Sequence, residues 1–255
     1  MKLQDLTQAL RNAWFHQTGR CPLCGHATVF VCLDVATARN NMVCVRCHSS
    51  SRQRHIAQVL LRHFGAASSS LRSLVQGQGL RVYSTDSDDA MARLLRDCPT
   101  FCCSEYEPDV PLGQALGPQA TCQDVQRLTY PDACFDVVVS SDVFEHVRQY
   151  KKGFAEVHRV LRPGGLHVFT VPFYFDRSTV VRIDTQGSDD VTLLSPPEYH
   201  TDRLGRPVLT YRSFGVDLCD ELRRMGFSVA IDFSRLADQR LGLFDSQVFV
   251  TQRLA

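Results

Sequence analysis

Between residues 135 and 171 the chain passes from one unbroken apolar run, Phe135-Asp-Val-Val-Val-Ser-Ser141, through a helical stretch at 150–161 into a second, Leu166-His-Val-Phe-Thr-Val171. A strand too apolar to face water on either side belongs in the middle of a parallel sheet, and the intervening helix supplies the crossover that parallel strands need. Arg162-Pro163-Gly164-Gly165 ends that helix, because proline and glycine forbid its continuation. The same alternation begins upstream, with strands expected at 80–84 and 101–105 and a helix at 88–96 between them. Repeated βα units predict an α/β fold built on a doubly wound sheet.

The chain has 255 residues, 44% of them hydrophobic, which is enough for a large core without disulfide staples. The opening, Met1 to Gln17, alternates polar and apolar residues without the apolar centre of a signal peptide. No apolar run approaches the roughly 20 residues of a membrane span. The expectation is therefore a cytoplasmic protein with no membrane partner, in which the 11 cysteines are metal ligands or core residues rather than disulfides.

Two cysteine pairs decide between those roles. Cys21-Pro-Leu-Cys24-Gly and Cys44-Val-Arg-Cys47-His are separated by 19 residues, a spacing that reads as a four-thiolate zinc site, against the plainer reading of buried thiols. Four protein ligands leave no open position, so such a zinc is structural. Cys32, in an apolar run, is expected on a strand, while His26 and His48 flank the pairs as possible substitutes for a thiolate. The remaining cysteines, Cys98, Cys102, Cys103, Cys122, Cys134 and Cys219, form no such pair and are expected as small core residues.

After the second pair, Ser50 with Gln53 forms a capping-box pattern, Ile56, Val59, Leu60 and Phe64 recur at helical spacing, and Gly65 supplies a stop. The polar side of this amphipathic helix carries Arg52, Arg54, His55 and Arg62, either as a solvated face or as groups for an anionic ligand. Residues 1–80 carry a formal charge of +7 and the remainder −6, although the whole chain is only +1. Four thiolates around one zinc lower the first figure to about +5. A small polar stretch, 66–70, reads as a linker. The expected organisation is a zinc-ribbon-like helical module over 1–70 and a larger domain over 71–255, with 174–212 as a lid rich in proline, glycine and charge.

The block FDVVVSSDVFEHVRQYKKGFAEVHRVLRPGGLHVFTVPF, residues 135–173, resembles the central motifs of class I S-adenosylmethionine-dependent methyltransferases. Residues 124–134 resemble the acidic motif leading into it, and SFGVDLCDELRRMGFSVAIDF with DSQVFVTQR resembles the last helix and antiparallel final hairpin. Pro197-Glu198-Tyr199-His200 and Phe214-Gly215-Val216-Asp217-Leu218 are similar to a subgroup that begins with a four-cysteine zinc module. The resemblance implies a Rossmann-like, seven-stranded methyltransferase sheet and an S-adenosylmethionine site at the carboxyl ends of its strands.

On that resemblance, Glu105, with Tyr106 beside it, would accept from the ribose hydroxyls, Asp124 from the adenine amine with the Val125 amide beside it, and Ser140 and Ser141 would lie beneath the sulfonium. Helix capping or a solvated loop is the plainer role for the two acids. Tyr83, Ser84, Thr85 and Asp86 occupy the first turn, where the common family pattern has glycines so that backbone can approach the methionine end. His146 and His200 are the candidate general bases, His146 with a turn-packing alternative. The expected acceptor is a small molecule or glycan, and the positive first segment leaves room for an anionic one. An RNA acceptor docked on that segment is the second reading, and a non-catalytic zinc-ribbon binding protein the third.

Overall fold

The computed structural model describes residues 16–32, 34–65, 68–202, 205–234, 237–244 and 246–255. The opening segment with Trp14 and Phe15 lies outside the described residues, as do Leu33 and, in the expected linker, Ala66 and Ala67. Three short antiparallel strands come first: β1 (His16–Arg20), β2 (Ala27–Cys32) and β3 (Met42–Cys44). Cys32 ends β2 and is buried, as expected of a strand residue. A short helix α1 (Ala38–Asn41) precedes β3, and α2 (Ser51–Phe64) and α3 (Leu71–Gln78) follow it.

Helix α2 starts with the capping box read from the sequence, in which the Ser50 hydroxyl accepts from the Gln53 amide and the Gln53 side chain accepts from the Ser50 amide. Helix α3 was not anticipated. Ser70 and Ser73 form a second capping box, Leu71, Leu74 and Val75 fill its buried stripe, and Gly79 closes it in the left-handed region at φ 62°.

The main sheet is built from β4 (Val82–Ser84), β5 (Phe101–Glu105), β6 (Ala115–Gly117), β7 (Ala120–Cys122), β8 (Phe135–Ser141), β9 (Leu161–Thr170), β10 (Phe227–Phe233) and β11 (Gln247–Arg253), in the spatial order β10-β11-β9-β8-β4-β5-β7-β6. Strands β7, β5, β4, β8 and β9 are parallel neighbours, while β11 enters antiparallel between β9 and β10. This is the expected doubly wound α/β sheet with a final antiparallel hairpin. It has eight strands rather than seven, because the exposed three-residue β6 adds an outer edge against β7. The connecting helices are α4 (Ala90–Leu95), α5 (Tyr150–Val160) and α6 (Asp217–Arg224).

Side-chain alternation on β8 shows why both faces are apolar. Val137 and Val139 join one core with α2, α3 and α4, while Val138 joins the other with Phe154, Phe169 and Leu218. The first core runs without interruption from Cys21, Leu23, Phe30 and Cys44 through Ile56, Val59 and Leu60 to Val82, Val168 and Val248. The cysteine-bearing segment and the sheet thus share one interior, with α2 serving as a covering helix. Each large aliphatic side chain that α2 buries there contributes roughly 1.5–3 kcal/mol.

The polar side of α2 corrects the expectation of a solvated or ligand-facing surface. Arg54 is fully buried, His55 is 1% exposed, and Arg62 alone of the four is largely in water. The His55 ring joins Asp232 at 2.9 Å and Ser246 at 3.0 Å, and Arg62 also donates to Asp232, fixing α2 to the edge hairpin.

Candidate active site and cysteine cluster

The two Cys-x2-Cys turns repeat one backbone shape. The Gly25 amide donates to the Cys21 carbonyl and the His48 amide to the Cys44 carbonyl, and the residue after each second cysteine sits at positive φ, 79° for Gly25 and 58° for His48. Glycine takes that conformation freely and suits its position twice over, since a Cβ there would stand 2.8 Å from that of Ser70. Together the turns bring the four sulfurs within 4.8 Å of one another, with Cys21 and Cys47 at 3.7 Å. Sulfurs held at about 2.3 Å around a tetrahedral zinc stand roughly 3.8 Å apart, so the donor set fits such an ion. His26 and His48 are exposed and lie outside the cluster.

Arg54 lies against this cluster. Its guanidinium donates to the carbonyls of Met42, Ser49, Leu241 and Gly242 and stacks over Phe30 at 4.5 Å. Burial pulls its pKa down to about 10, and the cysteine sulfurs are the groups that oppose that fall.

The carboxyl ends of β4, β5, β7 and β8 open into a cleft of about 440 Å³ lined by Thr85, Glu105, Tyr106, Asp124, Val125, Asp142, Val143 and His146, with Asp202, Arg206 and Val208 contributed by segment 174–212. It is the crevice in which open α/β sheets bind ligands. Of the expected cofactor residues, Thr85, Glu105, Tyr106, Asp124 and Val125 therefore come together.

Others do not. Tyr83 is wholly buried, its hydroxyl 2.7 Å from that of Ser104, and burial raises its pKa well above the ordinary value. Ser140 is also buried, 2.8 Å from the His167 imidazole, which burial holds down to about 3. These two are core residues, because alternation along β4 and β8 turns them away from the crevice. Ser84 is buried and Ser141 lies beside Thr170.

Asp86 shapes the glycine-free turn. Its Oδ1 accepts from the amides of Asp88 and Asp89, each at 2.9 Å, a side-chain-closed turn in place of a glycine-rich one. Ser87 donates its amide and hydroxyl to Oε1 of Glu105. Asp89 caps α4, donated to by Ala92 and by Gln53 of α2, and burial with the neighbouring Asp86 pushes its carboxyl up to about 7. Asp124 accepts from the Gln126 amide at 2.8 Å and from its side chain at 3.0 Å, which closes the loop beneath the cleft.

Asp142 is the residue the sequence reading missed. It sits at φ 53° just past β8, accepts two hydrogen bonds from Arg39 at 3.0 Å each, another from Thr170 at 2.8 Å, and pairs with Arg52. Burial alone would raise its pKa, yet Arg52 and Arg39 hold it well below the ordinary carboxylate range. The sequence signal was the surplus of arginine before residue 80 facing an acid immediately after the central strand.

The two candidate bases do meet. His146 places Nδ1 2.8 Å from the Leu209 carbonyl and Nε2 3.1 Å from Nδ1 of His200, whose Nε2 is 3.1 Å from Glu198. Burial lowers the His146 pKa. Glu145 lies beneath them, fully buried, and burial followed by the Asp142 charge raises it to about 8.

Segment 174–212 forms short antiparallel ladders, among them 199–201 against 207–209, which carry His200. Arg212 fastens this segment. Buried beside Tyr150, it donates to the carbonyls of Val147 at 2.6 Å, Arg148 at 2.9 Å and Phe144 at 3.3 Å. Arg206 bridges Asp202 and Glu107 across the cleft mouth.

Residues 63–169 match the family described as a methyltransferase domain. A 42-residue stretch is 50% identical to demethylmenaquinone methyltransferase of Deinococcus radiodurans, covering 16% of this chain and 17% of that protein. Among solved structures, the amino pentose methyltransferase CalS10 of Micromonospora echinaspora is similar at TM-score 0.49 and 14% identity, over 80% of this chain and 92% of that one. An S-adenosylmethionine-dependent methyltransferase of Mesorhizobium loti is similar at TM-score 0.44 and 17% identity, over 69% and 91% of the two chains. No helix among the described residues is long and apolar enough to cross a membrane.

Proposed function

We propose that the chain, whose residues 63–169 match a methyltransferase domain, is a class I S-adenosylmethionine-dependent methyltransferase acting on an oxygen or nitrogen of a small-molecule or glycan-type acceptor held between sheet and lid. The observation that carries this reading is the cleft itself, where Glu105, Asp124 and Val125 stand at strand ends on one side and His146 with the lid on the other.

When bound, the cofactor supplies a methyl group on a sulfonium, activated for in-line displacement. The chain's own work is positioning and exclusion of water. Glu105 offers carboxylate oxygens to a ribose, Asp124 to an exocyclic amine, and Thr85 and the Asp86-closed turn border the amino-acid end. The lid, latched by Arg212 and Arg206, keeps water from the reacting centre. His146 and His200 stand on the acceptor side, where they would handle the acceptor's proton or orient its oxygen.

The four-cysteine cluster is read as a structural zinc site. Arg54 supports this, because a fully buried guanidinium whose hydrogen bonds go to neutral oxygens needs a nearby negative charge, and a zinc tetrathiolate carries −2. The RNA reading is weakened by the fate of the basic residues. Arg39 and Arg52 are spent on Asp142, Arg62 on Asp232 and Arg72 on Asp97.

Calorimetry with S-adenosylmethionine and its demethylated product tests the reading. Saturable binding that weakens at least tenfold in Glu105→Ala and Asp124→Ala is expected, and His200→Ala should keep cofactor affinity while losing turnover. Absence of binding at millimolar cofactor supports a non-catalytic protein, and salt-sensitive RNA retention supports the docking alternative.

A further inference from the structure

Glu145 is an anomaly. Its side chain is 0% exposed, and neither carboxylate oxygen has a hydrogen-bond partner among the described residues. A buried carboxyl with nothing to bond is strongly unfavourable unless something else satisfies it. The His146 Nε2 lies 3.7 Å and the His200 Nδ1 4.0 Å from Oε1 of Glu145, with the two nitrogens 3.1 Å from each other.

The histidines present a second anomaly, arising from their outer nitrogens. His146 Nδ1 faces the Leu209 carbonyl, which only accepts, so that nitrogen carries the hydrogen. His200 Nε2 faces Glu198, a carboxylate paired with Arg182 at 2.6 Å, and must likewise donate. In two neutral rings the hydrogens are then used up, and the inner nitrogens point lone pairs at each other across 3.1 Å. Something positive belongs between them.

We propose that Glu145, His146 and His200 form a second metal site, for a divalent d-block cation such as Zn2+ or Mn2+, beside the cofactor cleft. Atoms bound to one such ion at about 2.0–2.2 Å lie no more than roughly 4.3 Å apart, and all three separations fall inside that limit. Two imidazoles and one carboxylate suit zinc, iron or manganese better than magnesium or calcium, which prefer oxygen throughout. The outer contacts are those of metal-bound histidines, one ring held by a backbone carbonyl and the other by a carboxylate that is itself anchored. Three protein ligands leave a position open, and His146 lines the cleft, so that position is reachable by an oxygen-bearing ligand.

The site joins two elements that are distant in sequence. Glu145 and His146 lie in the 3-10 turn after β8, whereas His200 comes from the lid hairpin, so the ion would fasten the lid at a point separate from Arg212. The proposal concerns cation binding alone and stands apart from the methyl-transfer reading.

The experiment counts Zn2+ and Mn2+ per chain, by plasma mass spectrometry and by titration against a chromophoric chelator, on the full-length protein. Wild type should hold one more equivalent than Glu145→Gln or His200→Ala, with far-UV dichroism unchanged, while the equivalent attributed to the cysteines stays in all three. Glu198→Ala should retain the site with affinity lowered 10- to 100-fold. The proposal is overturned if wild type and both ligand variants carry the same number of ions. That result would leave a proton shared between the rings as the positive charge.

Discussion

Asp142→Asn isolates the contact between the cysteine-bearing segment and the cleft. Asparagine is among the residues best able to keep the left-handed backbone found here, so the change removes charge without forcing the chain to move. It leaves Arg39 and Arg52, 22% and 19% exposed, without their counter-charge. A fully buried pair broken in this way costs about 3–5 kcal/mol. Partial exposure lets the guanidiniums rehydrate, so about 2–4 kcal/mol is expected, or a fall in Tm of roughly 5–15 °C for a chain of this size.

The pH dependence supplies an independent check. Because the folded carboxyl is held below the unfolded value, its contribution is complete well above about pH 4, starts to fall below that pH, and is lost in full only when pH passes through the much lower folded value. The gap between wild type and variant should therefore narrow by about 1 kcal/mol between pH 7 and pH 3. Urea unfolding followed by circular dichroism at both pH values measures it. Coincident midpoints at pH 7, or a gap of the same size at pH 3, would refute the argument.

Arg212→Met removes the donor shared by three loop carbonyls, and protease cleavage within 174–212 should accelerate at least tenfold, the rate change for about 1.4 kcal/mol of local stability. An unchanged cleavage pattern would show that the lid is held elsewhere. A mercurial that attacks thiolates should release one zinc per chain into an indicator dye and lower Tm; release of none, with Tm unchanged, counts against a zinc tetrathiolate. Gly153→Ala adds a Cβ 2.9 Å from the Phe144 ring and 3.5 Å from Val125. Overpacking of about 1–3 kcal/mol should outweigh a helix-propensity gain of about 1, so a rise in Tm would contradict the packing reading.

Much of the fold was legible because it rests on local periodicity. The limits of β5 and β8, the capping box of α2 and the end of α5 followed from residue spacing and breakers. The cysteine cluster was legible because ligand spacing is a local constraint. The fate of Arg54 and Asp142 was not, since a basic face on a helix looks the same whether water or a second part of the chain lies against it. Tyr83 and Ser140 show the same limit. Alternation places neighbours on opposite faces, but one sequence does not say which face of β4 or β8 turns toward the crevice. Glu145 was passed over for the histidine beside it, because its interest comes from having no partner, a property only packing reveals.

The shared interior has a thermodynamic corollary. Arg52 sits in the first turn of the helix that follows the second cysteine turn, and its guanidinium rests on Asp142 in the wall of the cleft. If a cation at the cysteines stiffens that turn, it biases the position of the arginine and hence the affinity of whatever the cleft binds. Linkage makes the effect mutual: occupancy of the cleft must tighten the grip on the cation by the same factor. The cysteine cluster and the cleft would then behave as two coupled ligand sites within a single cooperative unit.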